Sequence, residues 1–122
     1  WLQEAIASYV SILNDCPYSL ANHWANARHL IGDDARADTI EAALQADAPE
    51  RAFEGAELEL MRYARKLTRD VGSLAEIDVT ALRDAGLDAR LEAPVRILRR
   101  IRAPHSQSPV PAAQTRQRPA HR

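Results

Sequence analysis

The amino-acid sequence predicts an all-α fold built from short amphipathic helices. The 122 residues are rich in alanine and leucine, and hydrophobic residues make up 46% of the chain. Only four glycines occur and runs of β-branched residues are scarce, which favours helix over strand. Apolar residues also recur three and four positions apart. Together these observations predict one small helical domain with a single core.

The first two helices are predicted at about 2–13 and 17–31, with a turn at Asn14 and Asp15 between them. These residue types favour turns and helix starts because their short side chains bond nearby backbone amides. Pro17 suits a first helical turn, where its missing N–H costs nothing. We expect the pair to form an αα-hairpin. Its predicted inward positions are Leu2, Ile6, Tyr9, Val10, Leu13, Leu20, His23, Trp24, Ala27, Leu30 and Ile31.

A third helix is predicted between the helix stop Gly32 and the break at Pro49. Asp33 or Asp34 is expected to cap its N-terminus, because an aspartate side chain can accept hydrogen bonds from free helical N–H groups. Its predicted inward positions are Ala37, Ile40, Ala43 and Leu44.

A longer fourth helix is predicted at about 50–71, followed by a short fifth helix from Val79 to Ala85. Asp78 is expected to cap the fifth helix and Gly86 to end it. The predicted inward stripe of the fourth helix is Phe53, Ala56, Leu60, Ala64, Leu67 and Val71.

Charge divides the chain into an acidic part and a basic part. Residues 1–89 contain 16 acidic and 8 basic side chains, whereas residues 90–122 contain one acid and eight arginines. We expect a helical domain over 1–88, an atypical basic helix over 89–102 and a disordered basic tail over 103–122. An Arg/Pro/Ala-rich end is also typical of a shifted reading frame in a GC-rich gene, a hypothesis that the coding DNA would test.

Several classes of function are disfavoured by the composition. No apolar run approaches the roughly 20 residues that cross a bilayer, so no membrane partner is expected. No basic-plus-apolar leader is visible, and a single cysteine cannot form an internal disulfide, which suits a cytoplasmic setting. The basic end has no aromatic interleaving, so no specific nucleic-acid binding is expected.

Four polar residues come together if the first two helices form a hairpin. Glu4 and His23 lie at similar distances from the turn, so the carboxylate can hydrogen-bond the imidazole and raise its basicity. Ser19 and His23 are four residues apart on one helix, and Cys16 precedes Ser19 by one turn. At a helix N-terminus the free N–H groups favour a thiolate, which is the reactive form of cysteine. The spacing predicts a proton relay that ends in a thiol.

Other interpretations of the same residues stay open. Cys16 is also compatible with a small core residue, His23 with a hydrogen-bonded core histidine, and Glu4 with a solvated first-turn carboxylate. Zinc binding with His29 is disfavoured because His23 and His29 are six residues apart and diverge around the helix. A Ser19–His23–Glu4 hydrolase lacks a glycine-rich oxyanion loop.

The spacing Glu4, eleven residues, Cys16-Pro-Tyr-Ser19, three residues, His23 resembles the AhpD-like alkylhydroperoxidases of the carboxymuconolactone decarboxylase superfamily. The family signature is E-x(11)-C-x-x-C-x-x-x-H. The segment 77–87 also resembles the short helix of the peroxidase-related branch. The resemblance covers about residues 1–88.

This resemblance implies an AhpD-like helical bundle that assembles as a homo-oligomer, a trimer or a hexamer. The implied activity is thiol-dependent reduction of organic hydroperoxides, driven by an external thiol or dithiol reductant, with no cofactor and no metal. By the same resemblance Cys16 is the first redox cysteine, His23 and Glu4 are the relay, and Ser19 stands at the second cysteine.

Two departures from the family pattern define the alternatives. Ser19 cannot form a disulfide, so oxidised Cys16 would stop at sulfenic acid or wait for an external thiol, and impaired turnover is expected. The chain after Leu87 does not resemble the following family helix. The alternative function is a non-catalytic helical oligomer or interaction module that retains only the fold.

Overall fold

A computed structural model describes residues 1–86, which form five α-helices and two 3-10 helices with no strand among them. The predicted all-α class is therefore confirmed for this part of the chain, while the predictions for 89–102 and 103–122 lie outside the described residues. The α-helices are α1 (Leu2–Leu13), α2 (Pro17–Ile31), α3 (Asp34–Gln45), α4 (Gly55–Arg69) and α5 (Glu76–Asp84). The 3-10 helices are Pro49–Arg51 and Val71–Ser73.

A three-residue connection joins α1 to α2 at the predicted turn. The backbone N–H of Asn14 donates to the carbonyl of Val10 at 3.0 Å and so continues the helical pattern. Asp15 then takes a left-handed conformation with φ of 52°. The N–H of Cys16 donates back to the carbonyl of Ser11 at 2.9 Å, which fixes the start of α2 against the end of α1.

The boundary between α2 and α3 is also as predicted. Gly32 adopts φ of 67° and donates its N–H to the carbonyl of Arg28, so α2 ends in a left-handed cap. Asp33 is the capping residue of α3, because its Oδ1 accepts a 3.0 Å bond from the N–H of Arg36.

The hydrophobic core lies mainly between α1, α2, α3 and α4. All four predicted inward positions of α3 are buried. Two other predicted positions are wrong, since Leu30 is 59% exposed on α2 and Val71 is 54% exposed after α4. Within residues 1–86 no helix combines the length and apolar character needed to cross a membrane. The largest buried apolar side chains include Ile6, Tyr9, Trp24, Ile40, Leu44, Phe53, Leu60, Met61, Tyr63 and Leu82.

Two predicted helix boundaries need correction. The fourth helix begins at Gly55 rather than near residue 50, because Pro49 starts a separate 3-10 turn whose carbonyl accepts the N–H of Phe53 at 2.9 Å. The fifth helix begins before Asp78, which lies inside its first turn and accepts a 2.8 Å bond from the N–H of Ala75. Asp78 therefore caps the helix from within rather than from the preceding position.

Asp47 connects α1 to α4 after the end of α3. Its Oδ1 accepts hydrogen bonds from the Tyr9 hydroxyl at 2.5 Å and Arg65 Nε at 3.1 Å, and its Oδ2 accepts from Arg69 at 2.6 Å. Arg65 Nε also donates to the Tyr9 hydroxyl at 2.7 Å. We call these four side chains, Tyr9, Asp47, Arg65 and Arg69, the Asp47 cluster. It fastens α1 to α4, and through Tyr9 it adjoins the hydrophobic core.

Burial and hydrogen bonding shift the titration of this cluster. Burial, together with the hydrogen bond to Asp47, raises the pKa of Tyr9 to about 12. Burial alone would raise the pKa of Asp47, but the bonds from Tyr9 and Arg69 and the nearby guanidinium charges lower it below its usual value. The cluster is therefore held together with Tyr9 neutral and Asp47 ionised over a wide pH range.

Candidate functional site

Glu4 and His23 form a direct hydrogen bond between α1 and α2. The sequence predicts this contact between the two side chains. The distance from Glu4 Oε2 to His23 Nδ1 is 2.8 Å. The two side chains are 29% and 40% exposed respectively, so both remain reachable from solvent. Because an ionised carboxylate only accepts, Nδ1 carries the hydrogen, and the lone pair of a neutral His23 ring lies on Nε2. Nε2 is thus the atom that can take up or release a proton.

Ser19 occupies the turn of α2 that precedes His23, but its hydrogen bond runs in a different direction. The hydroxyls of Ser11 and Ser19 lie 2.8 Å apart across the α1–α2 contact. Ser11 Oγ also donates to the carbonyl of Ala7 at 2.8 Å. Because a hydroxyl has one hydrogen, Ser11 then accepts the hydrogen of Ser19. This arrangement holds Ser19 against α1.

Cys16 is the N-cap residue of α2, and its side chain is exposed. Its backbone is fixed on both sides, because its N–H donates to Ser11 and its carbonyl accepts the N–H of Leu20 at 3.0 Å. Its thiol takes no part in capping, which leaves the sulfur available to an incoming reagent. Pro17 at the first helical position leaves one fewer N–H to satisfy at this end.

Of the four predicted site residues, only Glu4 and His23 are joined directly by a hydrogen bond. Glu4 contacts His23 directly, and Ser19 is bonded to Ser11 rather than to His23. Among residues 1–86 the thiol of Cys16 has no hydrogen bond to Ser19 or to His23. A relay from the histidine to the sulfur would need a water, a substrate oxygen or a side-chain rotation to complete it.

A small pocket of about 110 Å³ opens beside Cys16. It lies between the end of α1, the connecting turn, the start of α2 and the last residue of α3. Apolar side chains form part of its lining, and polar groups of the turn and of α3 form the rest. The lining residues are Ser11, Ile12, Asp15, Cys16, Pro17, Leu20 and Gln45.

Sequence reasoning missed Ser11 and Gln45. Ser11 is only 5% exposed, and it bonds the position where the resembled family has its second cysteine. The hairpin spacing that pairs Glu4 with His23 also places residue 11 near residue 19, so this contact was open to prediction. Gln45 offered no such signal, because it reaches the pocket only through the packing of α3.

Metal binding finds no support in the described part of the chain. Residues 1–86 contain no group of three or more His, Cys, Asp or Glu side chains placed to hold an ion. In comparisons with known proteins, no protein-family model matches this sequence and no curated protein matches it.

Proposed function

We propose that this protein is a thiol peroxidase of the alkylhydroperoxidase type that reduces organic hydroperoxides through Cys16. The single observation that supports it most is the 2.8 Å bond between Glu4 and His23, which orients a base on the helix that Cys16 begins. An accessible thiol, an oriented imidazole and an adjacent pocket are the parts that peroxide reduction by a cysteine requires.

The proposed reaction begins with attack of the Cys16 thiolate on the terminal, hydrogen-bearing oxygen of the hydroperoxide. The S–O bond forms as the O–O bond breaks, so the sulfur becomes sulfenic acid and the leaving alkoxide becomes an alcohol. The proton on the alcohol is the one that His23 Nε2 took from the thiol through a bridging water, since the two side chains share no direct hydrogen bond. Two molecules of an external thiol then reduce the sulfenic acid, releasing water and a disulfide and restoring Cys16.

Ser19 limits this cycle to one protein sulfur. Without a second cysteine, Cys16 cannot form an internal disulfide, so the external thiol must attack the sulfenic acid directly. The Ser19 hydroxyl has a pKa too high to replace a thiol in redox chemistry, although it can hydrogen-bond the sulfenate. We therefore propose a slow enzyme that works in a reducing, cytoplasmic setting.

We further propose that α1 and α2 form the central antiparallel hairpin of an AhpD-like bundle. Ser11, late in α1, pairs with Ser19, early in α2, and Glu4, early in α1, pairs with His23, farther along α2. Pairs that diverge from the turn in this order are typical of antiparallel helices. The accompanying assembly would be a trimer or a hexamer, which sedimentation of the full chain would test.

Peroxide consumption by the purified full chain, with a dithiol as reductant, tests the proposed activity. We expect Cys16→Ser to remove essentially all turnover, because this substitution deletes the only sulfur nucleophile. We expect Ser19→Cys to raise turnover by about tenfold or more, because a second thiol provides an intramolecular resolving step of high effective concentration.

Ser73→Cys is the matched control for Ser19→Cys, since it adds one exposed thiol on the 3-10 helix after α4. Turnover that survives Cys16→Ser would contradict the proposal. So would an equal rise in both serine-to-cysteine variants, because a general thiol effect would then account for it.

The alternative function, a non-catalytic interaction module, is favoured by two observations. The Cys16 thiol has no hydrogen bond to His23 within the described residues, while Tyr18 is 81% exposed on the same helix. Alkylation of Cys16 across pH separates the two functions. A rate that stays high below the usual thiol pKa supports the peroxidase, and an ordinary profile supports the module.

A further inference from the structure

The pocket beside Cys16 sets how large a group can pack beside the sulfur. Its volume is about 110 Å³. An apolar protein cavity of about 150 Å³ is large enough to hold benzene. The pocket is smaller than that and open to solvent on one side, so it can cover a branched alkyl group of a few carbons, whereas part of a substituted aromatic ring would remain in solvent.

One wall of the pocket is apolar. Ile12 from α1 and Pro17 and Leu20 from α2 line it. Ile12 and Leu20 are also packed against the main core, so the wall is held in place rather than free to open. Such a wall favours an alkyl group over water, because burial removes apolar surface from solvent.

The pocket lining also carries a negative charge that no cation among residues 1–86 pairs with. Asp15 lines the pocket next to Cys16, and within residues 1–86 its carboxylate forms no ion pair. Gln45, which α3 contributes to the lining, is uncharged. A substrate with its own carboxylate would meet the like charge of Asp15 in the pocket, which disfavours binding.

We propose that this pocket makes Cys16 selective for short, uncharged alkyl hydroperoxides over aromatic and anionic ones. The inference rests on the proposed function, because it names the substrate class of the same site. The alkyl group packs against Ile12, Pro17 and Leu20, and the peroxide oxygens face the sulfur. The reaction is the one given above, with thiolate oxidised to sulfenic acid and hydroperoxide reduced to alcohol.

Single-turnover oxidation of Cys16 tests this selectivity without involving the reductant. The second-order rate constant for loss of the Cys16 thiol is measured with four peroxides. Two are tert-butyl hydroperoxide and cumene hydroperoxide, and the other two are a straight-chain carboxylic acid that carries a hydroperoxide group and the methyl ester of that acid. Each rate is divided by the rate of a free thiol at the same pH, which removes intrinsic peroxide reactivity. We expect the normalised rate to favour tert-butyl over cumene hydroperoxide by about tenfold, and the ester over the acid by roughly threefold at low salt.

Two substitutions separate the charge effect from the size effect. Asp15→Asn is expected to equalise the acid and its ester, and asparagine tolerates the left-handed conformation of this position. Asp84→Asn on α5, which packs on α4 and not on the pocket, is the matched control and is expected to leave the ratio unchanged. Gln45→Ala shortens the side chain that α3 contributes to the pocket lining. It is expected to raise the rate with cumene hydroperoxide more than the rate with tert-butyl hydroperoxide.

The outcomes distinguish the selectivity from the activity. If Cys16 reacts much faster than a free thiol but with free-thiol ratios, the peroxidase stands and the selectivity is overturned. Equal effects of Asp15→Asn and Asp84→Asn would likewise overturn the role of the pocket charge. If Cys16 reacts no faster than a free thiol with any of the peroxides, both proposals fail.

Discussion

Helix α1 contributes to two polar clusters that differ in how completely their groups are paired. In the Asp47 cluster, both carboxylate oxygens and the Tyr9 hydroxyl have partners. In the second cluster, the Glu4 carboxylate accepts a hydrogen bond from Nδ1 of His23, while Nε2 has no hydrogen bond among the described residues. A fully paired cluster stabilises the fold, because removing any member leaves the others unsatisfied. A partly paired one keeps an atom available for chemistry.

The largest effect that this contrast predicts is on catalysis. His23→Gln should slow oxidation of Cys16 by a small hydroperoxide about 100-fold, because the proton acceptor is lost. It should leave the free energy of unfolding nearly unchanged, since the side chain is half-exposed. Stopped-flow thiol loss and urea unfolding measure the two quantities.

His29→Gln is the matched control, because His29 is an exposed histidine on the same helix. Glu4→Gln should give a smaller loss, because it removes the carboxylate that orients the His23 ring and keeps the imidazole itself. A rate that is the same in the His23 and His29 variants would contradict a role for the Glu4–His23 pair.

The second effect is on stability and lies in the Asp47 cluster. Asp47→Ala should lower the free energy of unfolding by about 2 kcal/mol, because it strips partners from Tyr9 and Arg65. Part of the loss would come from backbone strain, since Asp47 has φ of 53°. Thermal unfolding should show a drop in Tm of about 10 °C.

A series at position 47 separates the two contributions. Asp47→Gly removes the carboxylate without backbone strain, and Asp47→Asn keeps one acceptor oxygen and tolerates the left-handed conformation. The expected order of destabilisation is alanine, then glycine, then asparagine. The rate of Cys16 oxidation per folded molecule should stay constant through the series, and a parallel fall in that rate would show that the two clusters are coupled.

The smallest predicted effect is a fall in the free energy of unfolding at alkaline pH. The pKa of Tyr9 is raised to about 12 in the fold, mainly by burial, above its usual value near 10. A group whose folded pKa is raised stabilises the fold below its unfolded pKa. That contribution is lost as pH rises through the folded value. Unfolding free energies measured from pH 9 to about 12 should therefore fall, and they should fall less in Tyr9→Phe.

Local sequence signals predicted much of this structure. The ends of α2, the cap at Asp33 and the pairing of Glu4 with His23 depend on neighbours close in the chain, and all three are present. Helical periodicity alone was less reliable at helix ends. Leu30 and Val71 fit the stripe but are exposed, because no described element packs over them.

The Asp47 cluster could not be predicted in the same way. Asp47 reads as an ordinary turn residue, and nothing near it in the chain indicates that α4 supplies two arginines to it. The pocket beside Cys16 could not be predicted for the same reason, since Gln45 becomes part of its lining only through tertiary packing. Long-range pairs of this kind depend on how helices pack, which residue spacing does not encode.

The short connection between α1 and α2 has a consequence for the order in which contacts form. All four candidate site residues lie within positions 4–23, and Glu4 meets His23 once three residues close a turn, at a small cost in chain entropy. Tyr9 is separated from Asp47 by 38 positions and from Arg65 by 56, so the Asp47 cluster requires closure of much longer loops. The Glu4–His23 pair therefore needs only a local turn, whereas the Asp47 cluster needs distant parts of the chain to meet.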